Sequence, residues 1–242
     1  MRRQNISGDL LIQVTIVSFV ILLVIFVDLT AFRSSRAFGS EDVKTEEKTI
    51  IIDAGHGGED GGAIGYDGVI EKDINLSISL KLKTFFRLAG YQVIMTRDSD
   101  KAIYDSGSNT IRQKKTSDLH NRLKLASSYP DALFLSIHQN IYESSRYSGA
   151  QVFYSQNNPQ SKTLAEIIQK QIREQLQPTN NRMIKKAEKN LFLLYYAKSP
   201  SVMVECGFLS NPTECKNLEN NSYQQKIAFS IFSAVLSYGS GT

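Results

Sequence analysis

The 242-residue sequence has no tryptophan, five prolines, two cysteines and three histidines, and its formal net charge is only +4. Each scarcity narrows what the chain can be. Two cysteines, Cys206 and Cys215, allow at most one disulfide, so the fold does not rest on a disulfide framework. Lys and Arg are scattered, with no basic stripe interleaved by aromatics, and no nucleic-acid partner is expected. The glycine-rich stretch at 55–65 is not followed by a Lys-Ser/Thr pair and lacks G-x-G-x-x-G spacing, which argues against nucleotide binding. No internal repeat is visible. With 41% hydrophobic and 21% charged residues, the composition is that of an ordinary globular domain.

What is present begins with a long apolar run, Leu10 to Val27, behind Arg2 and Arg3. As a helix it would span roughly 27 Å, against a bilayer core of about 30 Å. It is long for the apolar part of a cleaved signal, and no clean cleavage site follows. Residues 1–40 are therefore expected to be a signal anchor, in preference to a signal peptide, with a linker. Either reading exports the rest. Residues 41–242 are expected to form one catalytic domain acting outside the cytoplasm. In an exported protein Cys206 and Cys215 could pair, or remain two buried thiols.

From Thr49 onward, strands alternate with amphipathic helices. The pattern predicts strands at Thr49–Ile52, Tyr91–Thr96, Leu133–Ile137, Gly149–Tyr154, Leu191–Leu194 and Val202–Val204. Helices are predicted at Asp73–Ala89, around Leu119 to Ala126, at Lys162–Leu176 and at Tyr223–Leu236. Arg112–Lys115 and Lys185–Lys189 read as solvated loops. The alternation implies an α/β domain, a parallel or mixed sheet with helices on both faces.

Ligands in open α/β sheets gather outside the carboxyl ends of strands, and His56, His138 and Glu205 each fall at or just after such an end. Two imidazoles and a carboxylate can hold Zn²⁺ with one position open for water, and a further carboxylate nearby can act as a base. Glu71 is the other candidate carboxylate, although an acidic residue is also favourable at a helix N-terminus. Asp53 could orient the His56 ring, or cap a turn. The glycines after His56 permit a tight positive-φ path that turns the ring inward. His120, on a predicted helix, is expected to lie away from any site.

The stretches Asp53-Ala54-Gly55-His56-Gly57-Gly58, Glu71-Lys72-Asp73-Ile74-Asn75-Leu76, Met95-Thr96-Arg97, Ser136-Ile137-His138-Gln139-Asn140 and Val204-Glu205-Cys206-Gly207-Phe208-Leu209-Ser210-Asn211 occur in the order seen in zinc-dependent N-acetylmuramoyl-L-alanine amidases. The resemblance covers about residues 48–237. It implies a mixed six-stranded sheet flanked by helices. It also implies one Zn²⁺ per chain on His56, Glu71 and His138, with Glu205 as the catalytic glutamate and Asn140 lining the substrate cleft. The implied partners are the peptidoglycan glycan strand and its stem peptide. The implied reaction is hydrolysis of the amide between the lactyl group of N-acetylmuramic acid and L-alanine.

The layout has no added wall-binding module and only a short stretch, residues 141–148, after Asn140. It is similar to the spore-cortex amidases of endospore-forming bacteria, whose products are prepared for muramic lactam formation. Concentration at the wall would then come from the membrane, through residues 10–27, or from a recruiting or activating protein. Three other readings stand beside this one. They are a zinc peptidase cutting within the stem peptide, a non-catalytic wall-binding protein, and, more weakly, a cysteine hydrolase using Cys206 with His138.

Overall fold

The β-branched run Ile50-Ile51-Ile52 sets the centre of the molecule, because all three side chains are fully buried and they alternate between two cores. In the computed structural model, which describes residues 48–240, they belong to β1 (Thr49–Ala54). The chain continues through α1 (Glu71–Leu88), β2 (Gln92–Met95), α2 (Ile111–Ser127), β3 (Leu133–Asn140) and β4 (Gln151–Tyr154). It then forms α3 (Pro159–Gln175), β5 (Lys185–Lys186), α4 (Phe192–Tyr196), β6 (Ser201–Phe208), α5 (Pro212–Glu219) and α6 (Asn221–Ser240). The expected anchor or signal segment lies outside the described residues. No described helix is long and apolar enough to cross a membrane.

The strands form one six-stranded sheet in the order β2-β1-β3-β6-β4-β5. The pairs from β2 through β6 are parallel, β4 runs antiparallel to β6, and β5 follows β4 in parallel. The sheet is thus mixed, as the alternation and the resemblance implied.

One face carries Ile50, Ile52, Leu135, Ile137, Val152, Val202 and Val204, and α1, α3 and α6 cover it. On α1 the buried Ile74, Ile78, Leu82 and Phe86 recur at three- and four-residue spacing, which puts one apolar stripe on the sheet. The other face carries Ile51, Phe134 and Met203 and is covered by Ala126 of α2 and by Leu193 and Leu194 of α4. Caps set several helix starts. Thr110 and Gln113 form a reciprocal capping box on α2, and Asn211 accepts from the backbone N–H groups of Thr213 and Glu214 on α5.

Several boundaries differ from the sequence expectation. Leu191–Leu194 is not a strand; the run becomes the short helix α4, whose Leu193 and Leu194 are buried. A four-residue apolar run has no period that separates helix from strand. The sixth strand is instead Lys185–Lys186, exposed at the sheet edge, where lysines are the usual guard against further pairing. Arg112–Lys115 is not a loop but the first turn of α2. Lys114 there bonds Glu59 at 2.7 and 2.8 Å, and Lys115 stands 3.4 Å from Asp60. The helix α5 carried too few apolar residues to announce itself. Cys206 and Cys215 are both buried free thiols, not a disulfide.

Candidate active site

The site is built where β1, β3 and β6 end. After Ala54 the backbone enters the left-handed region at three successive residues, His56 (φ 62°), Gly57 (φ 136°) and Gly58 (φ 58°). That conformation is costly for histidine, and glycine on the following residues makes the path possible. Two buried arginines hold it in place. Arg97 donates to the carbonyls of Ala54 (2.9 Å), Gly55 (2.9 Å) and Lys72 (2.8 Å). Arg122 donates to those of Ala54 (2.8 Å) and His56 (2.7 Å).

Arg122 is itself fixed by Asp118 at 2.6 Å and Asp53 at 2.7 Å. Asp53, fully buried, also accepts from Thr96 and Ser136. Burial alone would raise its pKa, but Arg122 and these hydrogen bonds hold the carboxyl below its usual value. The expectation that Asp53 orients the His56 ring is therefore corrected: Asp53 anchors the loop from beneath through Arg122. The ring contact is made by Asp60, whose Oδ2 accepts from His56 Nδ1 at 2.9 Å. Sequence reasoning missed Asp60, although its position four residues after His56 in a glycine-rich turn is a signal of a ring partner.

Glu71 is the first residue of α1, and its carboxylate points into the site instead of capping the helix. Oε2 lies 3.2 Å from His56 Nε2 and accepts from Ala63 N–H at 2.8 Å. Oε1 lies 3.0 Å from His138 Nδ1 and accepts from Asn75 and from Gln139 N–H, each at 3.1 Å. Burial works against ionisation, and the two imidazoles outweigh it, so Glu71 is held well below the ordinary carboxylate range. His56, Glu71 and His138 together present donor atoms within 4.8 Å of one another. The imidazole rings stand edge to face with centroids 4.9 Å apart.

Close approach depends on two glycines. A Cβ on Gly55 would run into the His138 ring, and one on Gly62 would come within 2.5 Å of Glu71 Oε2 and 2.6 Å of His56 Cδ2.

Glu205 lies within β6, three residues before its end, directly opposite His138 in the β3–β6 register. Its Oε2 is out of contact with solvent and has no hydrogen-bond partner. Burial pushes its pKa up to about 7; the nearby Glu71 carboxylate adds to the rise and the histidines oppose it. Asn140 follows His138 by two residues on the same face, across a bulge, paired with Phe208. His120 lies apart, exposed on α2, with its Nδ1 2.8 Å from the Thr116 carbonyl. Burial, reinforced by the charge of Glu205, pushes the Cys206 thiol far above its ordinary range. That leaves it without the thiolate a cysteine hydrolase needs.

The arrangement offers two imidazoles, one ionised carboxylate and one protonatable carboxylate around a common point, a donor set matched to a divalent transition metal. The comparisons agree with the chemistry. A family model described as N-acetylmuramoyl-L-alanine amidase matches residues 50–237. A germination-specific N-acetylmuramoyl-L-alanine amidase of Bacillus subtilis is 34% identical over 223 residues, 92% of either chain. The CwlD amidase of Clostridioides difficile, solved in complex with the GerS lipoprotein, has a TM-score of 0.78 at 44% identity, covering 81% of this chain and 100% of that one. The amidase AmiC2 of Nostoc punctiforme has a TM-score of 0.68 at 28% identity, covering 80% and 98%. On the family match and these relatives, the chain belongs to the N-acetylmuramoyl-L-alanine amidase family and is an enzyme of that class.

Proposed function

We propose that the protein hydrolyses the amide between the lactyl group of N-acetylmuramic acid and the L-alanine of the stem peptide. In this reading one Zn²⁺ is held by His56, Glu71 and His138, and Glu205 is the catalytic proton carrier. One observation carries it: the donor atoms of those three residues converge within 4.8 Å, and the partnerless Oε2 of Glu205 stands on the strand beside them. The donor set fits the metal, because Asp60 holds the far nitrogen of His56 while Ala63, Asn75 and Gln139 hold Glu71. When bound, Zn²⁺ supplies Lewis-acid polarisation of the amide carbonyl and makes water acidic enough to attack near neutral pH.

Glu205 takes the proton from the attacking water and delivers it to the alanine nitrogen as the C–N bond breaks. A carboxyl whose pKa burial has already moved to about 7 suits both halves of that transfer. His56 keeps Nδ1–H on Asp60, which leaves Nε2 as its donor atom. Asn140, on the His138 face, contacts the substrate. Residues 41–242 form the catalytic domain.

Mass spectrometry of peptidoglycan digested by the purified protein with Zn²⁺ tests this reading. Free stem peptides beginning with alanine, absent with Glu205→Gln, are expected. Fragments that leave alanine on muramic acid would identify a peptidase instead, and bound zinc without any product would identify a binding protein.

The narrower role we infer is spore-cortex maturation, supported by the germination-specific relative and by CwlD. Action outside the cytoplasm and a recruiting or activating protein partner belong to the same proposal; the CwlD structure contains the GerS lipoprotein. A strain lacking the protein is expected to make spores whose cortex has no muramic lactam. Normal lactam content would exclude the role.

A further inference from the structure

We propose that Arg182 is a specificity-determining residue, binding a carboxylate of the stem peptide on the leaving side of the scissile amide. It would select stems whose second residue keeps a free carboxylate over those in which it is amidated. The proposal rests on the amidase reading of the site above.

The geometry starts from a row of side chains along the sheet. His138 pairs in register with Glu205, and Glu205 pairs in register with Gln151 on β4, so the three share one face. Gln151 is buried, with its amide nitrogen on the Met183 carbonyl at 2.7 Å. Its Oε1 accepts from Arg182 Nη1 at 3.3 Å. The Arg182 Nε donates to the Ser148 carbonyl at 2.7 Å.

The guanidinium lies over the Phe208 ring, 4.4 Å from its centroid, and 5.8 Å from that of Tyr147. The two rings stack at 6.2 Å. Glu214 secures this platform by accepting from the backbone N–H groups of Gly149 and Phe208, each at 2.8 Å.

Arg182 is thus held by hydrogen bonds to carbonyl oxygens and by aromatic faces, with the Glu214 carboxylate near enough to act on it through charge but not in direct contact. Both Glu214 oxygens are taken up by backbone N–H groups, and among the described residues the Arg182 Nη2 makes no hydrogen bond. A half-buried guanidinium, fixed in place with an unused edge, matches the planar, bidentate geometry of a carboxylate.

The reach fits as well. One strand spacing of about 4.8 Å separates Glu205 from Gln151, and a hydrogen bond of about 3 Å adds the guanidinium, giving roughly 8 Å. Two extended residues span about 7 Å. The glycan strand's N-acetyl sugars are neutral once the lactyl carboxyl is tied up in the amide, so a carboxylate at that distance belongs to the peptide. In a stem that begins with alanine and continues through γ-linked glutamate, it is the α-carboxylate of the second residue.

The test compares two matched muropeptides, one with γ-linked D-glutamate and one with D-isoglutamine at the second position, on the wild-type protein, Arg182→Gln and Arg182→Lys. Calorimetric binding of the two corresponding product peptides is measured alongside. Wild type is expected to favour the carboxylate substrate by about tenfold or more in kcat/KM, as loss of a charge-assisted bidentate contact implies. In Arg182→Gln that ratio should fall to near one, chiefly through KM, and Arg182→Lys should restore part of it.

Equal kcat/KM on both substrates in wild type would overturn the proposal. Equal loss on both in Arg182→Gln would do the same, making Arg182 a structural residue of the rim. Hydrolysis of neither substrate by wild type would instead defeat the amidase reading of the site, while the peptide binding preference and its loss in Arg182→Gln would still decide the role of Arg182.

Discussion

Glu205 and His138 are partners across the β3–β6 ladder, in register and on the same face. In-register neighbours on adjacent strands stand about 5 Å apart and cannot drift relative to one another without breaking the sheet. The protonatable carboxylate is therefore placed by backbone hydrogen bonds, not by a side-chain partner, and its Oε2 remains uncommitted.

Replacing Glu205 by Gln keeps the shape and removes the proton carrier. Hydrolysis is expected to fall by about 10²–10⁴-fold, the usual share of general acid–base catalysis. Zinc content, measured by atomic emission on the same sample, should stay at the wild-type value. Zinc loss would show that Glu205 is a ligand.

Gly62→Ala tests the packing of the site. The substitution places a methyl group against Glu71 Oε2 and His56 at a φ of 71°. A left-handed alanine costs about 1–2 kcal/mol, which the fold should survive. The expected outcome is a folded protein by circular dichroism with sharply reduced zinc binding, and unchanged binding would mean that the loop yields easily.

Arg122→Met leaves the fully buried Asp53 without its cation. Breaking a buried pair on one side costs about 3–5 kcal/mol, and the variant should show that loss in urea unfolding. Pairing it with Asp53→Asn should recover part of the loss, because the stranded charge is then gone. No recovery would mean that the carbonyl contacts of Arg122 to Ala54 and His56 dominate.

Zinc affinity should depend on pH through His56. Burial alone would lower its pKa, but Asp60 and Glu71 outweigh this and raise it to about 9 in the metal-free site. The folded value lies above the unfolded one of about 6.5. Protonated His56 therefore stabilises the metal-free fold fully below about pH 6.5, and this contribution is lost as pH rises through about 9. Zinc must displace that proton. Affinity, read by chelator competition, should climb about tenfold per pH unit toward pH 9 and then level off. Asp60→Asn should weaken binding by about 10–100-fold and flatten the slope between pH 7 and 9. A flat wild-type profile would contradict this account.

The central strands were legible as β-branched apolar runs such as Ile50 to Ile52, and the long helices because their apolar residues recur with a clear period, as along α1. The residues gathered at the site could be named because Glu71 begins a helix, His56 follows a strand, and His138 and Glu205 lie in the last residues of apolar strands. Lys185–Lys186 and Phe192–Tyr196 were not legible, being too short to carry a period and chosen by where β4 and α2 leave room. Arg122 was missed for a different reason. Its role depends on three-dimensional convergence over 66 residues, in its contact to the His56 carbonyl, and nothing in the local sequence marks a charged residue as buried.

The direction of β1 has a consequence for how the molecule can be held. The described chain enters at Lys48, whose Nζ also reaches the Gly239 carbonyl near the end of α6, so both ends of the described chain meet at one pole. His56 lies at the other end of β1, roughly 20 Å away at strand rise. Any attachment through either end of the described chain is therefore made at the pole of the domain away from His56.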